Sequence, residues 1–295
     1  MKTIWKGNRG ISTKPLIYLM VSLFLLVGCS KSKSRLIYHE GVRAEKAFRF
    51  DEAAADYNKA IRIAPRSGIA GLSYYRLGVI EDRFMNRPDH AIEDYIRALE
   101  NLSDVDTRQK ASFYLARDLV SRGRLNNALS VLKKLTESRP PEKLALRAIN
   151  LTARILEREE HYRQALALYR EVKEKQSSTG NLRGRRAWLK VGLLEGLLGN
   201  PAQASKDLKK FLIAYPHGPM AAIAEFNLAR NLSDLGHDRQ ALALLSDVMG
   251  RYPNPDEVNA QIASVRKKMK ESANKASEAD TQKPPAQTAG SKRRR

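Results

Sequence analysis

Apolar residues along this chain fall on one helical face at a time, in segments cut by glycine and proline. The clearest stretch is Gly199 to Asn254, GNPAQASKDLKKFLIAYPHGPMAAIAEFNLARNLSDLGHDRQALALLSDVMGRYPN, which reads as three helices separated by turns. Asn200 stands where a cap is favoured, with Pro201 at the first helical position. Tyr215-Pro216 ends that helix. The next runs from Pro219 to Leu235 and stops at Gly236, a left-handed C-cap; the third starts near Asp238 and ends before Tyr252-Pro253.

The same unit recurs. Alanines Ala53, Ala91, Ala128, Ala165, Ala204 and Ala241 mark the second helix of each copy, at separations of 38, 37, 37, 39 and 37 residues. Twelve residues before each (thirteen in the second) stands Gly41, Gly78, Ala116, Ala153, Gly192 or Ala229, and four after it Tyr57, Tyr95, Leu132, Tyr169, Leu208 or Leu245. Small residues let paired helices approach closely and the large ones fill the space beside them. A fixed period of this kind marks a helical solenoid. Helix pairs are predicted at 34–48 and 51–64, 70–85 and 88–101, 105–122 and 125–138, 142–159 and 162–175.

These positions resemble the signature of tetratricopeptide (TPR) repeats, best in GVRAEKAFRFDEAAADYNKAIRIAP from Gly41 to Pro65. Every repeat is three to five residues longer than the family's 34-residue unit, and the second and fourth lack the terminal proline. The longer period and the YPxGPxAAxA wording resemble TPR lipoproteins of the bacterial envelope, of the BamD type and the Tol-Pal-associated YbgF type. The resemblance implies an all-α fold, a right-handed solenoid of about six helix-turn-helix repeats over 34–254, closed by a C-terminal capping helix at 255–272. On that last helix Ile262, Val265 and Met269 form one apolar stripe. Residues 273–295 lack apolar periodicity and are expected to be a disordered basic tail ending in Lys292-Arg293-Arg294-Arg295.

The first 28 residues read as a secretory signal: basic Lys2, Lys6, Arg9 and Lys14, then the apolar run LIYLMVSLFLLVG. Leu26-Val27-Gly28-Cys29 resembles the bacterial lipobox, which implies lipidation of Cys29, with residues 29–33 as tether; the other reading is an uncleaved anchor with a chance cysteine. Ser30 after the cysteine, under the family's sorting rule, implies an outer-membrane anchor facing the periplasm. Cys29 is the sole cysteine, so an intramolecular disulfide is excluded. The loop Ser177 to Arg185 reads either as a hinge between repeats or as a longer turn.

Charge changes the picture most. Of the net +21, the signal carries +4 and residues 266–295 carry +7, leaving +10 for residues 30–265. Such an excess implies an anionic partner or surface. In the TPR family a set of first-helix positions lines the binding groove. Carried over, these are Lys110, Phe113, Arg117, Arg147, Asn150, Arg154, Arg158, Arg186, Leu189, Phe226 and Arg230, preceded by Tyr38, Glu45, Lys46, Tyr75, Asp82 and Arg83. Basic with interleaved aromatics, that surface suits an acidic or extended segment of an envelope protein, since guanidinium groups bind carboxylates in forked pairs. A merely solvated face is the alternative.

Candidate chemistry is sparse. His39, His90, His161, His217 and His237 are scattered, without HExxH or any ligand cluster, and no GxSxG or phosphate-cradling loop is found. Neither enzymatic activity, a metal nor a cofactor is called for. The exported, cationic tail points to lipid headgroups, lipopolysaccharide or wall polymer rather than nucleic acid. Two functions compete: a lipid-anchored TPR adaptor in an envelope machine (outer-membrane assembly, cell-wall or division coordination, pilus or polysaccharide export), or a structural lipoprotein binding peptidoglycan or lipopolysaccharide.

Overall fold

The computed structural model describes residues 32–176 and 182–281. Among them are thirteen α-helices and no strand. The signal, Cys29 and most of the tether, residues 177–181 of the candidate hinge, and tail residues 282–295 lie outside the described residues.

The chain divides into two compact units, up to Leu151 and from Thr152 onward. The first holds α1 (32–46), α2 (Phe50–Ile63), α3 (Gly68–Arg83), α4 (Pro88–Asn101), α5 (Val105–Ser121) and α6 (Leu125–Glu137). Helix α7 (Glu142–Arg158) runs across the boundary. The second unit continues with α8 (Tyr162–Gln176), α9 (Leu182–Leu197), α10 (Pro201–Ala214), α11 (Pro219–Asp234), α12 (Asp238–Val248) and α13 (Pro255–Thr281). Odd-numbered helices α1 to α11 are the first (A) helices of the pairs, even-numbered ones the second (B). The division falls within α7 rather than at the candidate hinge. Helices on either side of residues 177–181 belong to one unit, tied by the Arg170–Glu195 ion pair and by Lys173 Nζ donating to Asp207 at 2.5 Å.

Within each pair the core follows the alternation of small and large residues. Tyr57, Tyr95, Tyr169, Leu208 and Leu245 are all but fully buried, each contributing about 1.5–3 kcal/mol through burial. Tyr57, Tyr95 and Leu208 press on the small residue of the A helix, Gly41, Gly78 and Gly192 respectively. A Cβ added to Gly78 would stand 2.7 Å from the Tyr95 ring, and one on Gly192 2.6 Å from Leu208. Glycine sits there because the helices cross too closely for a methyl group.

Turns between A and B helices repeat as well. Each places one residue in the left-handed region: Phe48, Asn86, Gly123, Glu160, Gly199 and Gly236, at φ of 59°, 52°, 71°, 60°, 81° and 80°. Gly236 thus ends α11 as its sequence position predicts. Asn200 does not cap α10 with its side chain; its amide donates to Glu195 at 3.3 Å instead.

Helix α13 buries Val258, Ile262 and Val265 against the second unit, with Met269 packed beside them, and Lys268 Nζ donates to Ser233 O at 2.5 Å. It continues through Thr281, beyond the expected end at 272, because residues 273–281 (ANKASEADT) contain good helix formers and no glycine or proline. Among the described residues no helix is long and apolar enough to cross a membrane.

Candidate functional site

A three-residue device recurs along the A helices. In the first repeat Glu45, four residues after Gly41, accepts from Tyr57 Oη at 2.7 Å and from Arg76 Nη1 at 3.0 Å. In the fourth, Glu157 accepts from Tyr169 Oη at 2.8 Å and from Lys190 Nζ at 2.5 Å. Arg76 and Lys190 occupy the same position, two residues before the small residue of the next A helix. Acid, tyrosine and cation thus lock three helices together in each unit. Burial, reinforced by the carboxylate bond, raises the Tyr57 and Tyr169 phenols far above their ordinary range. These acids and cations are occupied by the fold.

The second repeat departs from this pattern. Asp82 is the acid and Tyr95 the tyrosine, but Tyr114 stands where the cation would be. Arg117, three residues further on, takes over the ion pairing: it bridges to Asp82 and donates from Nε to Asp118 at 2.8 Å. Burial alone would weaken the Arg117 charge; the bond and charge of Asp118, then the charge of Asp82, outweigh that and raise its pKa. Arg117 is therefore not an open groove cation, because two carboxylates already neutralise it.

Tyr114 becomes the centre of a cationic and aromatic cluster. Its ring lies 6.0 Å from Tyr95 and 6.3 Å from Tyr75. Three guanidinium groups surround it, with Cζ of Arg117, Arg83 and Arg147 at 5.0, 5.2 and 5.9 Å from the ring centroid. Arg83 also donates to Tyr114 Oη at 2.9 Å, and Arg147 lies 4.2 Å over Phe113. Among the described residues neither Arg83 nor Arg147 has a carboxylate partner. Two cations are held in place by ring faces and a phenol, which leaves their charge unspent. Burial, with the neighbouring Tyr114, raises the Tyr75 phenol above its ordinary range.

The fifth repeat departs in the opposite way. Gly196 stands in the acid's place, Leu208 in the tyrosine's and Asn227 in the cation's. The missing side chains leave a cleft of about 350 Å³ lined by Glu157, Leu193, Gly196, Arg230, Asn231 and Asp234, among others. Asn231 is 5% exposed, and its Oδ1 would lie 2.6 Å from a Cβ on Gly196. This recess is mixed in polarity, with Leu194 and Leu197 also on its wall, and mixed in charge rather than basic.

Of the groove residues named from sequence, Lys110, Arg154, Arg158, Arg186 and Arg230 are exposed, and Asn150 and Arg147 are half-buried. Phe226 is 1% exposed, stacked on Tyr252 with centroids 4.3 Å apart, and Phe113 is 7% exposed. With Leu189 and Tyr38, also buried, these are packing residues beneath the surface and offer a partner no contact. Sequence reasoning missed Arg76, Tyr114, Lys190, Asn227 and Asn231. Comparing the position two before each small residue (Arg76, Tyr114, Leu151, Lys190, Asn227) gives the signal for four of them. No group of three or more His, Cys, Asp or Glu side chains able to hold a metal ion occurs among the described residues.

A search of curated protein sequences gives no match. Among solved structures, the chain is similar to the crystal structure of YrrB, "a TPR protein with an unusual peptide-binding site", at 16% identity and TM-score 0.56 over 70% of this chain and 96% of that one. It is also similar to a tetratricopeptide repeat protein from Parabacteroides merdae ATCC 43184, at 15% identity and TM-score 0.56 over 86% and 94%. MamA (41-end) from Desulfovibrio magneticus RS-1 aligns at 15% identity and TM-score 0.51 over 61% and 93%. At these identities the likeness shows the fold. A family scan matches Tetratrico peptide repeat over residues 71–181 and 186–284, more than half of the sequence, and with six phased helix pairs of that architecture the chain belongs to the tetratricopeptide repeat family.

Proposed function

We propose that this protein is an interaction scaffold whose first unit takes an acidic, extended segment of a protein partner on its A helices. The observation that carries this is the Tyr114 cluster. Where the second repeat abandons the acid–tyrosine–cation lock, Arg83 and Arg147 stand beside one aromatic platform without carboxylates of their own. A partner carboxylate between them would gain charge-assisted hydrogen bonds, each contributing about 1.5–3 kcal/mol, while the rings supply rigid contact area. The lipobox-like LVGC, with Ser30 following, supports a chain lipidated at Cys29 and held at the periplasmic face of the outer membrane, as an adaptor in an envelope machine. The YPxGPxAAxA wording favours the envelope TPR lipoproteins as its kin.

The test is cross-linked capture from the protein's own cells, comparing the native chain with Arg83→Glu/Arg147→Glu. Recurrent envelope proteins recovered with the native chain are expected to fall about tenfold or more with the double reversal. Unchanged recovery at physiological salt would overturn the site. A second reading, direct binding of peptidoglycan or lipopolysaccharide, draws support from the +10 on residues 30–265. It predicts recovery of wall fragments alone, removed by added salt.

A further inference from the structure

The turns joining A to B helices in the first unit form an edge with its own chemistry. They comprise residues 47–49, 84–87 and 122–124: Ala-Phe-Arg, Phe-Met-Asn-Arg and Arg-Gly-Arg, with no carboxylate among them. Phe48 is the anomaly. Its left-handed position holds glycine in three of six repeats, because a side chain there crowds the backbone. Phe48 nonetheless keeps an aromatic ring there and leaves it 78% exposed, so burial does not offset the strain. Phe84 is 51% exposed and stacks on Phe50 with centroids 3.8 Å apart; Phe50 in turn meets the Phe48 ring edge-on at 6.2 Å. Three rings from two repeats thus make one open apolar ridge.

The charge around the ridge is equally out of order. The residue at the N-cap of α2, α4 and α6 is arginine each time, Arg49, Arg87 and Arg124, and none makes a side-chain cap. A cation there opposes the helix dipole, and an acceptor side chain would serve the fold better. Arg49 pairs with Glu52 at 2.8 Å and Arg87 with Glu81 at 3.8 Å, each with a guanidinium more than half exposed. Such surface pairs are weak and exchange readily for a phosphate. In the second unit the turns 159–161, 198–200 and 235–237 carry Glu159, Glu160 and two histidines, with no arginine and no aromatic ring other than histidine.

We propose that this turn edge of the first unit docks on an anionic lipid surface, with Phe48 and Phe84 entering the headgroup boundary and Arg49, Arg87 and Arg124 meeting lipid phosphates. A bilayer suits rings at the tips of turns because it needs no matching pocket, and exposed aromatics flanked by arginines are a membrane-interface pairing. The contact uses residues other than those of the Tyr114 cluster.

The test uses residues 29–295, the chain without the signal-like segment, with Cys29→Ser and Ala47→Cys, carrying an environment-sensitive nitrobenzoxadiazole label beside Phe48. A label at Ile213→Cys, an exposed site on α10, serves as control. On phosphatidylglycerol vesicles the label at 47 is expected to shift to the blue and brighten several-fold. On phosphatidylcholine vesicles, and at position 213, it should stay in water. Phe48→Gly/Phe84→Ala and, separately, Arg49→Glu/Arg87→Glu/Arg124→Glu should each abolish the response. Phe48→Gly alone should weaken it without lowering the melting temperature, which separates lost contact from lost fold. A label that stays in water on phosphatidylglycerol overturns the proposal, as does an equal response on both lipids. A shift seen only when an acidic protein is added also overturns it, and assigns the edge to a protein instead. Partner capture is read separately with Arg147→Glu, which lies outside these turns, so failure of the one proposal is distinguishable from failure of the other.

Discussion

Placing a single methyl group at Gly78 tests whether close helix approach organises this fold. A Cβ there would lie 2.7, 2.9 and 3.0 Å from Cε1, Cδ1 and Cζ of Tyr95, whose ring is fully buried and has no free direction to move. Overpacking of this kind costs about 1–3 kcal/mol. Against it, replacing glycine by alanine inside a helix gains about 1 kcal/mol in propensity and chain entropy. Gly78→Ala should therefore destabilise the first unit by about 1 kcal/mol. The double mutant sharpens the argument. The third and sixth repeats combine alanine with leucine (Ala116 with Leu132, Ala229 with Leu245), so Tyr95→Leu should relieve the clash. Gly78→Ala/Tyr95→Leu should be more stable than the two single effects sum to, by about 1–2 kcal/mol. Urea unfolding followed by far-ultraviolet circular dichroism, with hydrogen exchange to place the loss within α3 and α4, gives the four stabilities. Zero coupling, or a Gly78→Ala protein more stable than the native chain, would refute the idea that glycine is there for approach.

Removing single hydroxyls should separate the locked repeats from the open one. Tyr57→Phe deprives Glu45 of a 2.7 Å bond and should cost about 1–3 kcal/mol, whereas the Tyr95 hydroxyl has no hydrogen-bond partner among the described residues and Tyr95→Phe should be nearly neutral; equal losses in thermal unfolding would contradict the contrast. Burial, then the nearby Glu81 charge, raises the Asp94 carboxyl from 3.8 to about 7. The folded chain then holds a proton that the unfolded chain has lost. Stability should fall as pH rises from about 4 through 7, and Asp94→Asn should flatten that slope in urea titrations.

What the sequence determined by itself is local and periodic. Helix positions follow from apolar spacing and from proline and glycine punctuation, which act within a few residues. Predicted and observed ends therefore agree within about three residues, except at the C-terminus of α13, which runs nine residues past its expected end because no proline or glycine stops it. The pairing of a small residue on one helix with a large one on the next was legible as well, since it recurs in phase. The groove was not legible in the same way, because charge neutralisation is a long-range matter. Arg117 and Asp82 are 35 residues apart, and Glu45 and Arg76 31. Nothing in a single helix reveals that these ions are spent on each other while Arg83 and Arg147 are not. Phe226 likewise looked available until Tyr252 from the following turn covered it. Tyr114 shows the remaining limit: the residue type was plain to read, but only packing against Tyr95 and Tyr75, with three guanidinium groups converging on its ring, made it the centre of a site. Sequence period settled which residues form helices and which faces meet; the tertiary fold decided which charges and rings remain open to a partner, because that depends on neighbours a full repeat away.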